Sequence, residues 1–301
     1  MAYHEISVKD DNKQHRKGIF DIFYVLPAII TLGLISIYPI IYSVFMSFFN
    51  WDWGNRMDFV GFDNYIMYIS DPNFFRVVAQ TLYFTIGAVL IEVILGFIIA
   101  IVINNLSFGL GFFRTIMMVP IMFSGIIVAL MSKMLLDPTL GVVNYLLNVV
   151  GLPTSVWFGN ATTAMPSIIL VDTWWRTPFV FIIISAALRS LPVEPYEAAE
   201  MDGANRVQKF RFLTLPMLKP VLIIVILLRT IDCLKVFEIV YGATGGGPNQ
   251  VTEVIQTLAY RTGFKFQQMS RSMTIMVIFS IIFILIILIY IRLSNRTRRD
   301  L

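Results

Sequence analysis

Apolar residues in this chain gather into long runs divided by short polar segments, the pattern of helices that cross a membrane. A spanning helix needs about 20 mostly apolar residues, and Ile22 to Trp51 passes without a charged side chain. Lys9, Lys13, Arg16 and Lys17 precede it. The run exceeds the roughly 7–15 apolar residues of a signal peptide, and no small-residue cleavage site follows, so a retained helix is expected. A second span lies between Arg76 and Asn104, interrupted only by Glu92, and a third between Arg114 and Asp137, with Lys133 close to its end. Residues 138–164 contain Pro138, Gly141, Gly151 and Pro153 and read as a loop. A fourth span runs from Met165 to Leu188 with Asp172 and Arg176 inside, a fifth from Val221 to Tyr241, and a charge-free sixth from Ser272 to Ile291. The expected fold is all-α and polytopic, with six transmembrane helices. It divides into a tail (1–18), a first span with its outer loop (19–75), a core of five spans (76–293) that includes the loop 190–220, and a second tail (294–301).

Composition agrees with the pattern. Hydrophobic residues make up 57% of the chain and charged ones 14%, with a mean hydropathy of +0.76. Soluble proteins carry roughly a quarter charged residues, so a water-soluble enzyme is excluded. Cys233, His4 and His15 are the whole Cys/His complement, which removes disulfide frameworks and Cys/His metal sites. No catalytic residue, metal or bound cofactor is expected. The net charge of +4 is too small for nucleic-acid binding, and its placement says more than its sum. Cytoplasmic loops are enriched in Lys and Arg. With the N-terminus inside, those segments collect the four N-terminal cations, Arg114, Arg189, Arg206, Lys209, Arg211, Lys219, Arg292, Arg296, Arg298 and Arg299. The opposite side receives Arg56, Arg76, Arg261, Lys265 and Arg271. Both termini and the 190–219 loop are therefore expected in the cytoplasm.

That loop breaks the hydropathy pattern in a structured way. Pro192 and Pro195 suit a first helical turn, a short helix over Tyr196 to Asp202 should follow, and Gly203 supplies the left-handed residue that stops it. A second amphipathic segment puts Val207, Phe210, Thr214 and Met217 on one face and leaves Arg206, Lys209 and Arg211 wet. The pair is expected to form a helix-turn-helix on the membrane surface, with Ala198 and Ala199 offering a small, flat docking face. The residues alone fit equally a basic hairpin resting among lipid headgroups.

Glu197-Ala198-Ala199, Asp202-Gly203-Ala204, Phe210 and Leu215-Pro216 with Pro220 resemble the Glu-Ala-Ala signature of ATP-binding-cassette importer permeases. The resemblance implies a coupling helix seated in a cleft of a cytoplasmic ATPase, with Glu197 as a polar contact and Gly203 as the turn. Three further stretches, Tyr38-Pro39 through Tyr65, Phe113 to Pro120 and Gly245 to Thr252, are similar to the carbohydrate-type permeases, in particular the larger maltose-permease subunit. What this implies is a heterodimer with a second, related permease, two ATPase subunits that bind ATP and Mg, and an extracytoplasmic solute-binding protein. The implied location is a bacterial or archaeal cytoplasmic membrane. The chain has no Gly-rich phosphate loop of its own.

Ionisable groups inside spans usually face a bundle interior or a water-filled path. Arg229, Asp232, Lys235 and Glu238 recur at three-residue intervals in the fifth span, so each can pair with its neighbour. They form either a self-neutralising ladder or a line with members that touch solute. Trp174, Trp175 and Arg176 sit in the middle of the fourth span, ahead of Pro178. They either line a sugar path, the rings stacking on sugar faces, or pack, with Arg176 satisfied by Asp172. Glu92 is expected to be partnered within the bundle. The resemblance implies a permease subunit of an ATP-driven, binding-protein-dependent importer of an oligosaccharide or other carbohydrate, forming half of its pathway. An ion-coupled carrier using the intramembrane charges and a non-transporting membrane scaffold are the rivals.

Overall fold

The computed structural model describes residues 8–54, 56–105 and 109–299, so positions 1–7 and 300–301 of the two expected tails lie outside the described residues. Helix α1 (Val8–Met46) carries the first apolar run through Pro27 and Pro39. Across its most apolar stretch no side chain is buried within the chain, and its most extensive contacts are with the last helix. The run was expected to reach Trp51 but the helix stops at Met46. Asn64 Nδ2 donates to the carbonyls of Ser47 (2.9 Å) and Phe49 (2.8 Å), which a continuing helix would require for itself. The chain then turns through a small antiparallel ribbon, β1 (Phe49–Asn50) on β2 (Asp58–Phe59), with Phe49 opposite Phe59. A short helix, α2 (Asp63–Ile69), leads to the second span.

That span, α3 (Pro72–Asn104), begins with Pro72 in its first turn and the Asp71 carboxylate accepting from Asn73 N, both standard means of satisfying a helix start. It packs extensively against the fourth span, α7 (Ala164–Arg189). Gly96 sets the separation: a Cβ there would lie 2.6 Å from Val180 Cγ1 and 3.1 Å from the Phe181 nitrogen. Small residues at such contacts let helix backbones approach where lipid supplies no hydrophobic drive.

The third apolar stretch is not a straight span. It consists of α4 (Leu110–Met118), a 3₁₀ turn (Pro120–Met122) and α5 (Gly125–Leu135), and its two limbs meet at 96°. Pro120 lacks the N–H that would continue α4, and Phe123 and Ser124 are extended. The expected loop 138–164 also holds structure, α6 (Val142–Val149). Asn144 organises it: its amide donates to Pro138 O and Ser155 O, and its carbonyl oxygen accepts from Trp157 Nε1 at 2.8 Å.

After α7 come α8 (Glu194–Met201), α9 (Arg206–Lys209), a π turn (Phe210–Thr214) and α10 (Leu215–Leu234). Next are α11 (Glu238–Ala243), α12 (Ile255–Tyr260), a second π turn (Arg261–Lys265) and α13 (Met269–Arg299). Among the described residues five helices are long and apolar enough to cross a membrane, or six if the bent pair counts as one span. The core has three apolar parts. Ala100, Val180, Ile184 and Val225 fill the end nearest α8; Phe84, Ala129, Ile168 and Val240 fill the middle; Phe74, Ile255 and Ile275 join α3, α12 and α13.

Candidate functional site

Helix α8 is short because its two ends are specified. Pro195 lies in its first turn, where Glu194 and Glu197 also face the positive end of the helix dipole. Gly203 adopts φ +78°, and the closing bonds run from Gly203 N to Glu200 O and from Ala204 N to Ala199 O at 2.8 Å. Asn205 then caps the next helix, exchanging side-chain and backbone hydrogen bonds with Gln208. Lys209 Nζ donates to Glu200 across the turn and holds that carboxyl below the usual glutamate range. Tyr196 Oη meets Thr214 Oγ1 at 2.9 Å. Glu197, Ala198, Asp202 and Gly203 are exposed at the tip, while Ala199 and Ala204 are half-covered.

The second arm of this hairpin departs from the expectation of a separate surface helix. Arg206 to Leu234 forms one continuous helical run, so the fifth span begins at the turn and not near Val221. Pro216 falls in the first turn of α10, where its missing N–H is tolerated, and the π turn before it absorbs the change of pitch. Phe210 packs against Phe97 of α3 with ring centres 6.1 Å apart, while Val207 points outward. The tip of the hairpin and the middle of the bundle therefore share one helix.

Arg229 lies on that helix with 2% of its surface exposed. Its Nε donates to Glu92 Oε2 at 2.5 Å and its Nη2 to Glu92 Oε1 at 3.0 Å, a two-point contact across α10 and α3. Nη2 also reaches Asp172 of α7 at 3.2 Å and Cys233 Sγ at 3.3 Å, and Nη1 lies 3.4 Å from Asp232. Three helices are thus tied by one guanidinium, whose planar fork suits several carboxylates at once. Glu92, Asp172 and Cys233 bring their ligating atoms within 4.8 Å of one another, but Arg229 already donates to all three.

A cavity of about 400 Å³ opens above this network, bordered by Phe84, Asp172, Trp175, Arg176, Arg229, Asp232, Lys235, Phe237 and Glu238 among others. Six of the seven sequence candidates converge on it. Trp174 does not: it is 51% exposed and absent from the lining, whereas Trp175 is 6% exposed and donates from Nε1 to Phe123 O at the bend of the third stretch. Arg176 is not satisfied by Asp172, which is taken by Arg229; its guanidinium lies over the Trp175 ring at 3.5 Å. Of the expected four-charge ladder the Arg229–Asp232 rung is present, at 3.4 Å, but the regular spacing does not continue, because α10 ends at Leu234 and the chain re-enters helix at Glu238. Lys235 sits in that break, and Glu238 lies against Gly125 at the start of α5, where a Cβ would also fall 2.8 Å from Trp175. Three-residue spacing favours Asp232 as the partner of Arg229, yet its shortest contacts are with Glu92, 137 positions away. Glu92 and Asp172, both acids within apolar runs, were the available signal.

Comparison with known proteins bears on this architecture. A model of the family described as binding-protein-dependent transport system inner membrane component matches residues 92–300. The chain is 35% identical over 269 residues to a probable ABC transporter permease protein, y4oQ, of Sinorhizobium fredii, covering 88% of this chain and 86% of that one. It is 38% identical over 202 residues to the trehalose/maltose transport system permease protein MalF of Thermococcus litoralis, covering 67% and 68%. Its fold is similar to a chain in the crystal structure of a bacterial alginate ABC transporter in complex with alginate pentasaccharide-bound periplasmic protein. That match has a TM-score of 0.82 and 25% identity, with 94% of this chain and 96% of that chain covered. The hairpin, the helix it shares with the bundle and the family match lead to one conclusion: this chain belongs to the binding-protein-dependent transport system inner membrane components, and is a non-catalytic, multi-pass permease subunit of an ABC importer.

Proposed function

We propose that this subunit forms one half of a carbohydrate pathway and is driven by the hairpin at Glu197 to Gly203. The observation that carries the reading is the unbroken helix from Arg206 to Leu234, about 43 Å long at 1.5 Å per residue. A displacement imposed at the exposed tip acts on Arg229, and through it on Glu92 and Asp172. Glu197, Ala198, Ala199, Asp202, Gly203 and Ala204 meet an ATPase subunit, while Phe210 and Pro216 anchor the hairpin to the spans. ATP and Mg act on that partner. Two such ATPases, a second related permease and a solute-binding protein complete the complex.

The cargo assignment draws on two supports. Relatives carry trehalose/maltose and alginate names, and the cavity mixes aromatic side chains, Phe84, Trp175 and Phe237, with hydrogen-bonding groups of both charges, Arg176, Asp232, Lys235 and Glu238. Such a lining holds a hydroxyl-rich solute weakly enough to release it. In this reading both termini and the hairpin face the cytoplasm of a bacterium or archaeon, in keeping with the Lys and Arg bias. Uptake of labelled saccharide into vesicles holding the assembled complex tests the proposal. ATP and loaded binding protein should be required, and uptake driven by an ion gradient without ATP would favour the carrier instead.

A further inference from the structure

Two arginines from different helices border one small cavity at the end of α7 that leads into α8. Arg114 belongs to α4 and Arg189 is the last residue of α7, and the space between them measures about 230 Å³. Arg114 Nη2 donates to Ser185 Oγ at 3.0 Å, and Ser185 is 3% exposed. A serine hydroxyl that accepts a bond still has a proton to donate, and among the described residues no acceptor stands opposite it. Met118, Phe181 and Ile182 supply an apolar wall, open outward at Met118, which is 44% exposed.

Among the described residues neither guanidinium pairs with a carboxylate. The negative end of the α7 dipole accounts for a cation at Arg189, but it gives no reason for a second one at the same cavity, where like charges repel. An anion with several acceptor oxygens would satisfy both guanidinium groups and the hydroxyl together. The space is smaller than the roughly 300–1,000 Å³ of pockets that enclose a whole small-molecule ligand, so it admits one compact group. A phosphate matches the planar fork of arginine. The apolar wall, set between two membrane-embedded helices, has no use for a free phosphate but suits the acyl chains that a lipid phosphate carries. Basic pockets between transmembrane helices hold anionic headgroups in this way.

We propose that Arg114, Arg189 and Ser185 bind the phosphodiester of an anionic phospholipid, whose acyl chains lie along Met118 and Ile182. Because Arg189 ends α7 and Glu194 begins α8, the bound headgroup fastens the bent third stretch to the base of the hairpin. The site is separate from the cavity at Arg229 and independent of the cargo.

The test is native mass spectrometry of the complete complex, with its ATPase subunits, titrated in detergent with phosphatidylglycerol, phosphatidylcholine or inorganic phosphate. Wild type should hold one phosphatidylglycerol more tightly than any phosphatidylcholine. Arg189→Gln, a change at an exposed position, should weaken that site about fivefold, and Arg114→Gln with Arg189→Gln about 25-fold. Lys219→Gln with Arg292→Gln removes two exposed cations near the start of α10, where Tyr290 meets Ile223, and should leave the affinity unchanged. Equal weakening in that control would reduce the effect to general surface charge and overturn the site. Displacement of the lipid by inorganic phosphate at equal concentration would overturn the lipid assignment. Unchanged affinity in both Arg189→Gln and the double variant would overturn the proposal, the result expected if a carboxylate of the second permease fills the cavity.

Discussion

Arg229 and Glu92 meet through two hydrogen bonds, of 2.5 and 3.0 Å, with both side chains nearly or wholly buried. Removing one partner of such a pair leaves a charge in an apolar interior and costs about 3–5 kcal/mol, whereas replacing all members with apolar groups is often neutral. Arg229→Met should therefore lower the thermal stability of the detergent-purified complex sharply. Adding Glu92→Leu and Asp172→Leu to that variant should recover most of the loss. Recovery of stability without recovery of uptake would assign the network a part in transmitting motion as well as in holding α3, α7 and α10 together.

Gly96 and Gly33 provide a matched comparison. A Cβ at Gly96 would lie within 2.6 Å of Val180, while nothing lies within 4 Å of one at Gly33. Gly96→Ala should cost about 1–3 kcal/mol through overpacking, and Gly33→Ala should change the unfolding temperature little.

The two adjacent tryptophans should separate cleanly in transport. Trp175→Ala removes the bond to Phe123 O and the ring beneath Arg176, so uptake should fall at least several-fold. Trp174→Ala alters an exposed face and should leave uptake close to wild type. Equal loss in both variants would mean that the cavity extends beyond the lining described above.

Glu253 supplies a pH signature outside the spans. It is 1% exposed, with Arg261 Nη1 at 3.0 Å, and burial pushes its carboxyl above the usual glutamate range by more than the guanidinium draws it down. A carboxyl raised on folding contributes stability that is full below its unfolded pKa and is lost as pH rises through the folded value. The stability of Glu253→Gln relative to wild type should therefore increase as pH rises from below the glutamate range to neutrality, as read by thermal unfolding.

Much of this was legible along the chain because span length and apolarity are local properties. The second, fourth and sixth spans fall close to their expected limits, and the Pro195–Gly203 punctuation anticipated a short helix and its left-handed stop. The misses share a cause. The bend at Pro120 to Ser124, the end of α1 at Met46 and the break at Lys235 all lie within or beside apolar runs, where hydropathy continues although the backbone does not. Each is fixed by distant groups such as Asn64, Trp175 and Gly125. Arg229 is the clearest case. Three-residue spacing favoured Asp232, but a half-exposed acid competes poorly with the buried Glu92, whose own charge has few other partners. On the face of α7, one residue of spacing separates Trp174 from Trp175, and sequence gave no ground for choosing between them.

Whether a partner ATPase moves the exposed α8 tip can be read by crosslinking. The native Cys233 is buried, so a cysteine introduced as Ala198→Cys can be addressed selectively in membranes holding the whole complex. Position 198 should crosslink to the ATPase subunit, with a yield that changes when ATP is added. Crosslinks confined to lipid reagents, in membranes that import solute normally, would contradict it.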